Sequence, residues 1–138
     1  MDQNQTIFEL IHKMEQITNN MIIQWNQMFH ENLGISHILV LSHLHKNGRS
    51  RPSDIAKGLG LTPPTLTHLS EKLIKKGLVV RERDEVDRRA LYLKITDDGC
   101  DILSSAQEKG LQLRMQLFEK LDIEELNQLL NIYSKLNG

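Results

Sequence analysis

The 138-residue sequence has one cysteine, Cys100, three prolines, one tryptophan, two tyrosines and three phenylalanines. A single cysteine excludes an internal disulfide framework and a Cys-rich metal module. The longest uninterrupted apolar run, Ile38 to Leu41, falls far short of the roughly 20 residues a membrane helix needs. Met1-Asp2-Gln3-Asn4-Gln5 has no basic opening and no apolar stretch behind it, so no signal peptide is expected and the expected location is the cytoplasm, with no membrane partner. There is no Gly-rich phosphate loop, no Gly-x-Ser-x-Gly elbow, no His-Glu-x-x-His pair and no Cys-x-x-Cys. The carboxylates instead cluster on charged surface segments, so neither an enzyme nor a cofactor is expected. With 39% apolar and 25% charged residues, the chain has the balance of a folded protein of one domain with helical arms.

The net charge of −1 hides an asymmetry. From Lys46 to Lys94 there are twelve basic and six acidic residues, whereas the flanks hold five basic and twelve acidic ones. A basic middle between acidic ends has the pattern of a nucleic-acid footprint.

Periodicity organises the rest. Ile7, Leu10, Ile11, Met14, Ile17, Met21, Trp25 and Met28 recur every three or four residues, which predicts one long helix between Thr6 and Glu31, ended by Leu33-Gly34. A second helix is expected from Ser36, as N-cap, to about Lys46, with Asn47-Gly48 ending it. Arg49-Ser50-Arg51 reads as a linker. Pro52 to Lys57 reads as a short helix with Pro52 in its first turn. Thr62 then caps a helix through Leu66, Leu69, Leu73 and Ile74, whose start Pro64 is expected to delay by a residue. The period next falls to two. Leu78 to Arg83 and Leu91 to Ile95 predict a β-hairpin around the charged tip Asp84 to Arg89. Two closing helices follow, the first capped by Thr96 and carrying Leu103, Ala106, Gly110, Leu113 and Leu117. The last starts near Asp122.

Helix, Gly-containing turn, helix and hairpin form the order of a winged helix-turn-helix, in which the second helix enters the major groove. Thr65, Thr67 and His68 stand where such a helix reaches base edges, since threonine offers a hydroxyl and a methyl to a base pair. Arg51, Ser53, Lys72, Lys75 and Lys76 are the candidate backbone contacts. At the hairpin tip Arg88 and Arg89 suit a narrow minor groove, and Asp87 is expected to orient a neighbouring arginine through a paired hydrogen bond.

Leu61-Thr62-Pro63-Pro64-Thr65-Leu66-Thr67-His68-Leu69, Lys76-Gly77-Leu78-Val79, Asp87-Arg88-Arg89-Ala90-Leu91 and Ile95-Thr96-Asp97-Asp98-Gly99 together resemble the MarR family of bacterial transcriptional regulators. The wing signature of that family, Asp-x-Arg followed by Leu-Thr-x-x-Gly, is matched at Asp87, Arg89, Thr96 and Gly99, with Ile95 in place of the leucine. Many relatives carry arginine where His68 stands. The resemblance implies a mainly α fold with a small β-hairpin wing. Residues 1–34 would form an N-terminal dimerisation helix, 35–98 the DNA-binding domain, and 99–138 the C-terminal dimerisation helices. It further implies a homodimer on an inverted-repeat double-stranded DNA operator, most simply a repressor, released by a small aromatic or phenolic effector. Trp25, Phe29, His37 and His43 are the candidate pocket residues, and ordinary packing is the competing reading of all four.

Two other sensors of the same fold are alternatives. A metal-responsive regulator would need histidine ligands on one face, but His43 and His45 are two apart on a helix and point to different faces. A redox-responsive one would use Cys100, whose neighbours Asp97, Asp98 and Asp101 blunt a thiol's reactivity. A winged helix that binds only protein is the remaining alternative. It would need neither the threonines nor the tip arginines.

Overall fold

The computed structural model describes residues 2–138, and over these the chain forms six helices and one antiparallel hairpin. α1 (Gln3–Met28) starts earlier than its apolar period indicates. Asp2 accepts from the Gln5 N–H at 2.8 Å and Gln5 Oε1 accepts from the Asp2 N–H at 3.2 Å, a reciprocal cap. The helix stops at Met28, short of Glu31, and the chain turns through Asn32 at a left-handed φ of 55°.

α2 (Ile35–Asn47) is capped by Gly34, not by Ser36. The Gly34 carbonyl already accepts from the N–H groups of His37 and Ile38, at 3.1 and 3.3 Å, so the ladder begins two residues earlier than expected. His37, third in the helix, completes the cap by accepting the Gly34 N–H on Nδ1 at 3.0 Å. α3 (Pro52–Leu59) opens on Pro52 and ends at Gly60 in the left-handed conformation. α4 (Pro63–Lys75) starts directly after Thr62. The second proline causes no delay, because first-turn N–H groups have no helical acceptor to lose.

β1 (Val79–Arg83) and β2 (Leu91–Ile95) pair from Val79–Ile95 to Arg83–Leu91. The segment expected to be a linker adds to this sheet. Ser50 and Leu93 exchange two backbone hydrogen bonds, 3.0 and 2.8 Å, so the wing carries a one-residue third strand. α5 (Asp97–Phe118) and α6 (Ile123–Asn137) close the chain. Asp122 and Glu125 form the reciprocal cap of α6 at 2.9 and 3.1 Å.

The chain divides into two compact units, residues 29–107 and residues 1–28 with 108–138. In the first, hereafter the lobe, α2, α3 and α4 pack on one another and on the wing. Val40, Leu41, Leu44, Ile55, Leu66, Leu73, Val79 and Leu93 are buried there. The second, the arms, holds α1, the latter half of α5 and α6. Trp25 and Leu113 are buried in it, and no residue of α6 is.

A four-residue device fixes where α5 leaves the wing. The Thr96 N–H donates to the Leu78 carbonyl at 3.1 Å, its hydroxyl donates to the Gly77 carbonyl at 2.7 Å, and the same oxygen accepts the Gly99 N–H at 3.0 Å. That pulls the first turn of α5 onto the α4–β1 connection. A Cβ at Gly99 would lie 2.2 Å from the Leu78 oxygen, so only glycine fits the approach. The Thr-x-x-Gly spacing read in the sequence is therefore a packing requirement.

Candidate nucleic-acid interface

The two faces of α4 serve different purposes. Leu66, Leu69, Ser70 and Leu73 are buried against the lobe, whereas Thr65, Thr67, His68, Glu71 and Lys75 are exposed and Lys72 is half-buried. At the start of the helix the Thr62 and Thr65 hydroxyls share a hydrogen bond of 2.8 Å, and the Thr65 N–H donates to Thr62 Oγ1 at 3.3 Å. Thr67 Oγ1 donates back to the Pro63 carbonyl at 3.0 Å. Its proton is thereby committed, which leaves an accepting oxygen and a methyl group for an incoming surface. Further along, His68, Lys72, Lys75 and Lys76 line an open cleft of about 630 Å³ with Glu71 and Asn32. Four potential cations against one carboxylate suit an anionic ligand such as a phosphate backbone.

His37 lies close to this cluster. Burial holds its imidazole below the ordinary pKa of 6.5, and Lys72, His68 and Lys76 press it in the same direction. A neutral ring is also what the cap demands, since Nδ1 must accept. His43 is engaged in packing, because a Cβ at Gly58 would sit 3.0 Å from its ring and α3 thus rests directly on the imidazole. Among the other pocket candidates, Trp25 is a buried residue of the arms and Phe29 a buried residue of the lobe. Cys100 Sγ lies 3.9 Å from His45 Nδ1, a pairing that sequence spacing does not reveal.

At the wing tip, Asp87 Oδ1 accepts both the backbone N–H of Arg89 at 3.1 Å and its Nε–H at 3.4 Å. The carboxylate and arginine are thus joined as their spacing leads one to expect, and the Arg89 side chain is left 94% exposed. The Arg88 side chain is exposed too, and its carbonyl accepts from Arg83 at 3.0 Å, which ties the tip to the end of β1.

The backbone-contact candidates at α3 stand in a different setting. Ser53 is exposed in the first turn of α3. The guanidinium of Arg51 lies 5.7 Å from the Tyr92 ring centre. The nearby Tyr92 foremost, with Asp54 and Asp87 beyond, favours its charged form. Arg49 sits closer, 4.2 Å over the same ring, while bonding Glu82 at 2.7 Å and approaching Asp84 at 3.7 Å. Sequence reasoning missed Arg49 and Tyr92. The available signal was the period-two alternation Arg49-Ser50-Arg51, too short to identify as a strand by itself.

No described helix is long and apolar enough to cross a membrane. Residues 33–91 match the MarR family, a stretch that runs from two residues before α2 to the first residue of β2. An uncharacterised HTH-type transcriptional regulator of Bacillus subtilis, YhbI, is 26% identical over 98 residues, which take in 71% of this chain and 64% of that protein. The crystal structure of YusO from Bacillus subtilis superposes with a TM-score of 0.83 at 22% identity, covering 99% of this chain and 98% of its own. A structure of Bordetella bronchiseptica BpsR, described with the regulation of its DNA binding by 6-hydroxynicotinic acid, gives a TM-score of 0.70 at 19% identity, over 94% and 99% of the two chains. These superpositions establish the winged helix-turn-helix fold, and the family match spans most of the lobe, including the Asp87–Arg89 part of the wing signature. The chain thus has the winged helix-turn-helix fold, and its residues 33–91 are similar to the MarR family.

Proposed function

We propose that this protein is a cytoplasmic transcriptional regulator that binds double-stranded DNA as a homodimer and is released by a small-molecule effector. The observation that carries the reading is the pairing, within one lobe, of an exposed helix start at Thr65, Thr67 and His68 with an exposed arginine tip at Arg88 and Arg89. The first suits base edges in a major groove and the second an A·T-rich minor groove. Lys72, Lys75, Lys76, Arg51 and Ser53 then hold the register through the phosphates. Dimerisation is supported by the arms. Leu10 is 62% exposed and Leu130 65% exposed, as parts of apolar stripes that a second copy of the chain would cover. Two lobes related by a two-fold axis read an inverted repeat with half-sites about 34–36 Å apart.

Repression is the simplest outcome of such binding, because a dimer seated on a promoter excludes other proteins from it. Release requires an effector that binds the DNA-incompetent arrangement better than the competent one. For BpsR the regulator of DNA binding is an aromatic acid, 6-hydroxynicotinic acid. The same chemical class is proposed here, with Phe29, His37 and His43 of the lobe among its candidate contacts.

The test is selection of duplexes from a random-sequence library, followed by titration of the winner. Wild-type protein is expected to enrich an inverted repeat, with affinity that falls steeply with salt. Arg89→Ala should weaken binding by well over tenfold while sedimentation still reports a dimer. Thr67→Ala or His68→Ala should cost about 1–3 kcal/mol on the selected duplex and little on a scrambled one. Failure to enrich any sequence would remove the reading.

A further inference from the structure

The wing carries its own obstacle to DNA. Its strands and tip hold Arg81, Arg83, Arg88, Arg89 and Lys94, but also Glu82, Asp84, Glu85 and Asp87. Carboxylates this close to a phosphate backbone repel it unless they are paired. Asp87 is occupied by Arg89. Glu82 and Asp84 are both paired with a residue from outside the hairpin, Arg49, at 2.7 and 3.7 Å.

The geometry explains why Arg49 can serve both. Ser50 pairs with Leu93, so its neighbours Arg49 and Arg51 lie on the sheet face opposite to that of the buried Leu93. Glu82 and Tyr92, a cross-strand pair, share that outer face. Tyr92 forms the floor on which the Arg49 guanidinium lies, 4.2 Å from ring centre to carbon, leaving its N–H fork aimed at the two acids. A two-stranded hairpin is marginal alone. This cluster fastens it to the α2–α3 connection at the end of the hairpin that leads into the tip.

We propose that Arg49 is a positioning residue for DNA binding: it touches no phosphate itself, but cancels the Glu82 and Asp84 charges and fixes the wing against Tyr92, so that Arg88 and Arg89 meet the duplex without opposition. This rests on the DNA-binding reading above and extends it to residues outside the recognition helix and the wing signature.

The experiment uses the full-length protein and the duplex selected by the wild type, titrated at several salt concentrations. Arg49→Gln is expected to weaken binding about tenfold. Adding Glu82→Gln and Asp84→Asn to that variant should return affinity to within about threefold of wild type, since the carboxylates that Arg49 silenced are gone. The triple variant should also keep the wild-type salt dependence. A direct phosphate contact predicts the opposite: no recovery in the triple variant, and a slope of log affinity against log salt reduced by about one. Unchanged binding by Arg49→Gln, or a loss that the acid-to-amide changes fail to restore, would overturn the proposal. Thermal melts of each variant separate these outcomes from unfolding, which the solvent access of the Arg49 and Glu82 side chains makes a small effect. If the wild type itself selects no duplex, it is the DNA-binding reading that fails, and the two failures are distinct.

Discussion

The lobe and the arms are both rich in apolar residues but use them differently. In the lobe, α2, α3, α4 and the hairpin contribute to one buried cluster, with Leu41, Leu44, Ile55, Leu66 and Leu73 at its centre. In the arms, no residue of α6 is fully buried, and Ile7, Leu10, Met14, Ile123, Leu130 and Leu136 all stand in the open. A hollow of about 270 Å³ between α1 and the latter half of α5, lined by Ile17, Met21, Leu113 and Leu117, adds to this. A helix is held mainly by tertiary burial of its apolar face. The lobe therefore meets its own requirement, and the proposed second copy would meet that of the arms.

The largest expected effect strikes the arms. Leu10→Asp together with Leu130→Asp places four charges in the proposed two-fold interface, two from each chain. Sedimentation velocity should then report a monomer at micromolar concentration, and affinity for an inverted-repeat duplex should fall by at least about a hundredfold, because each lobe must bind its half-site alone. Near-ultraviolet and thermal signatures of the lobe should survive. A dimer that persists through both changes would mean that the open stripes serve some other purpose.

A smaller effect is expected inside the lobe. Gly99→Ala forces a Cβ against the Leu78 carbonyl, at 2.2 Å before relaxation, and backbone has to move. Overpacking of this kind costs on the order of 3 kcal/mol. The urea midpoint should drop accordingly, with the dimer intact. Thr96→Val, which removes the hydroxyl between Gly77 and Gly99 while keeping shape, should cost about 1 kcal/mol. If Gly99→Ala proves neutral, the close approach is not what ties α5 to the wing.

How much of this is legible in the sequence follows from the range of each interaction. α4, its Thr62 cap, the hairpin and the Asp122 cap rest largely on near neighbours, and each stands where its sequence signal puts it, save that the delay expected at Pro64 does not occur. The family signature can be read for the same reason, since Asp87–Arg89 and Thr96–Gly99 are local contacts. What escapes depends on residues far apart in the chain. Ser50 pairs with Leu93 through backbone alone, leaving no side-chain pattern to detect, and Arg49 meets Glu82 across 33 positions. The division of α5 between the two units, at Gln107 and Glu108, falls inside a continuous helix with no punctuation. The start of α2 departs from expectation because serine is the commoner cap. Here a glycine takes that place, and the side chain that completes the cap is a histidine.

That histidine gives the smallest effect and a clean way to separate lobe from arms. His37 is held below 6.5 when folded, by burial first and then by Lys72, His68 and Lys76. On acidification the unfolded chain therefore takes up its proton before the folded one. Stability contributed by the neutral ring is complete above pH 6.5, falls as pH drops through that value, and levels off once the folded imidazole is also protonated. Protonation also removes the acceptor for the Gly34 N–H, a cap worth about 0.5–1 kcal/mol. Glutamine at this third helical position can accept the same N–H through its side-chain oxygen and does not titrate. His37→Gln should accordingly match wild type in urea at pH 7.5 and lose less stability on transfer to pH 5.5. Dimer affinity, assigned to the arms, should be equal for both proteins at each pH. An identical fall in midpoint for wild type and His37→Gln would mean that His37 is not the source of the acid sensitivity.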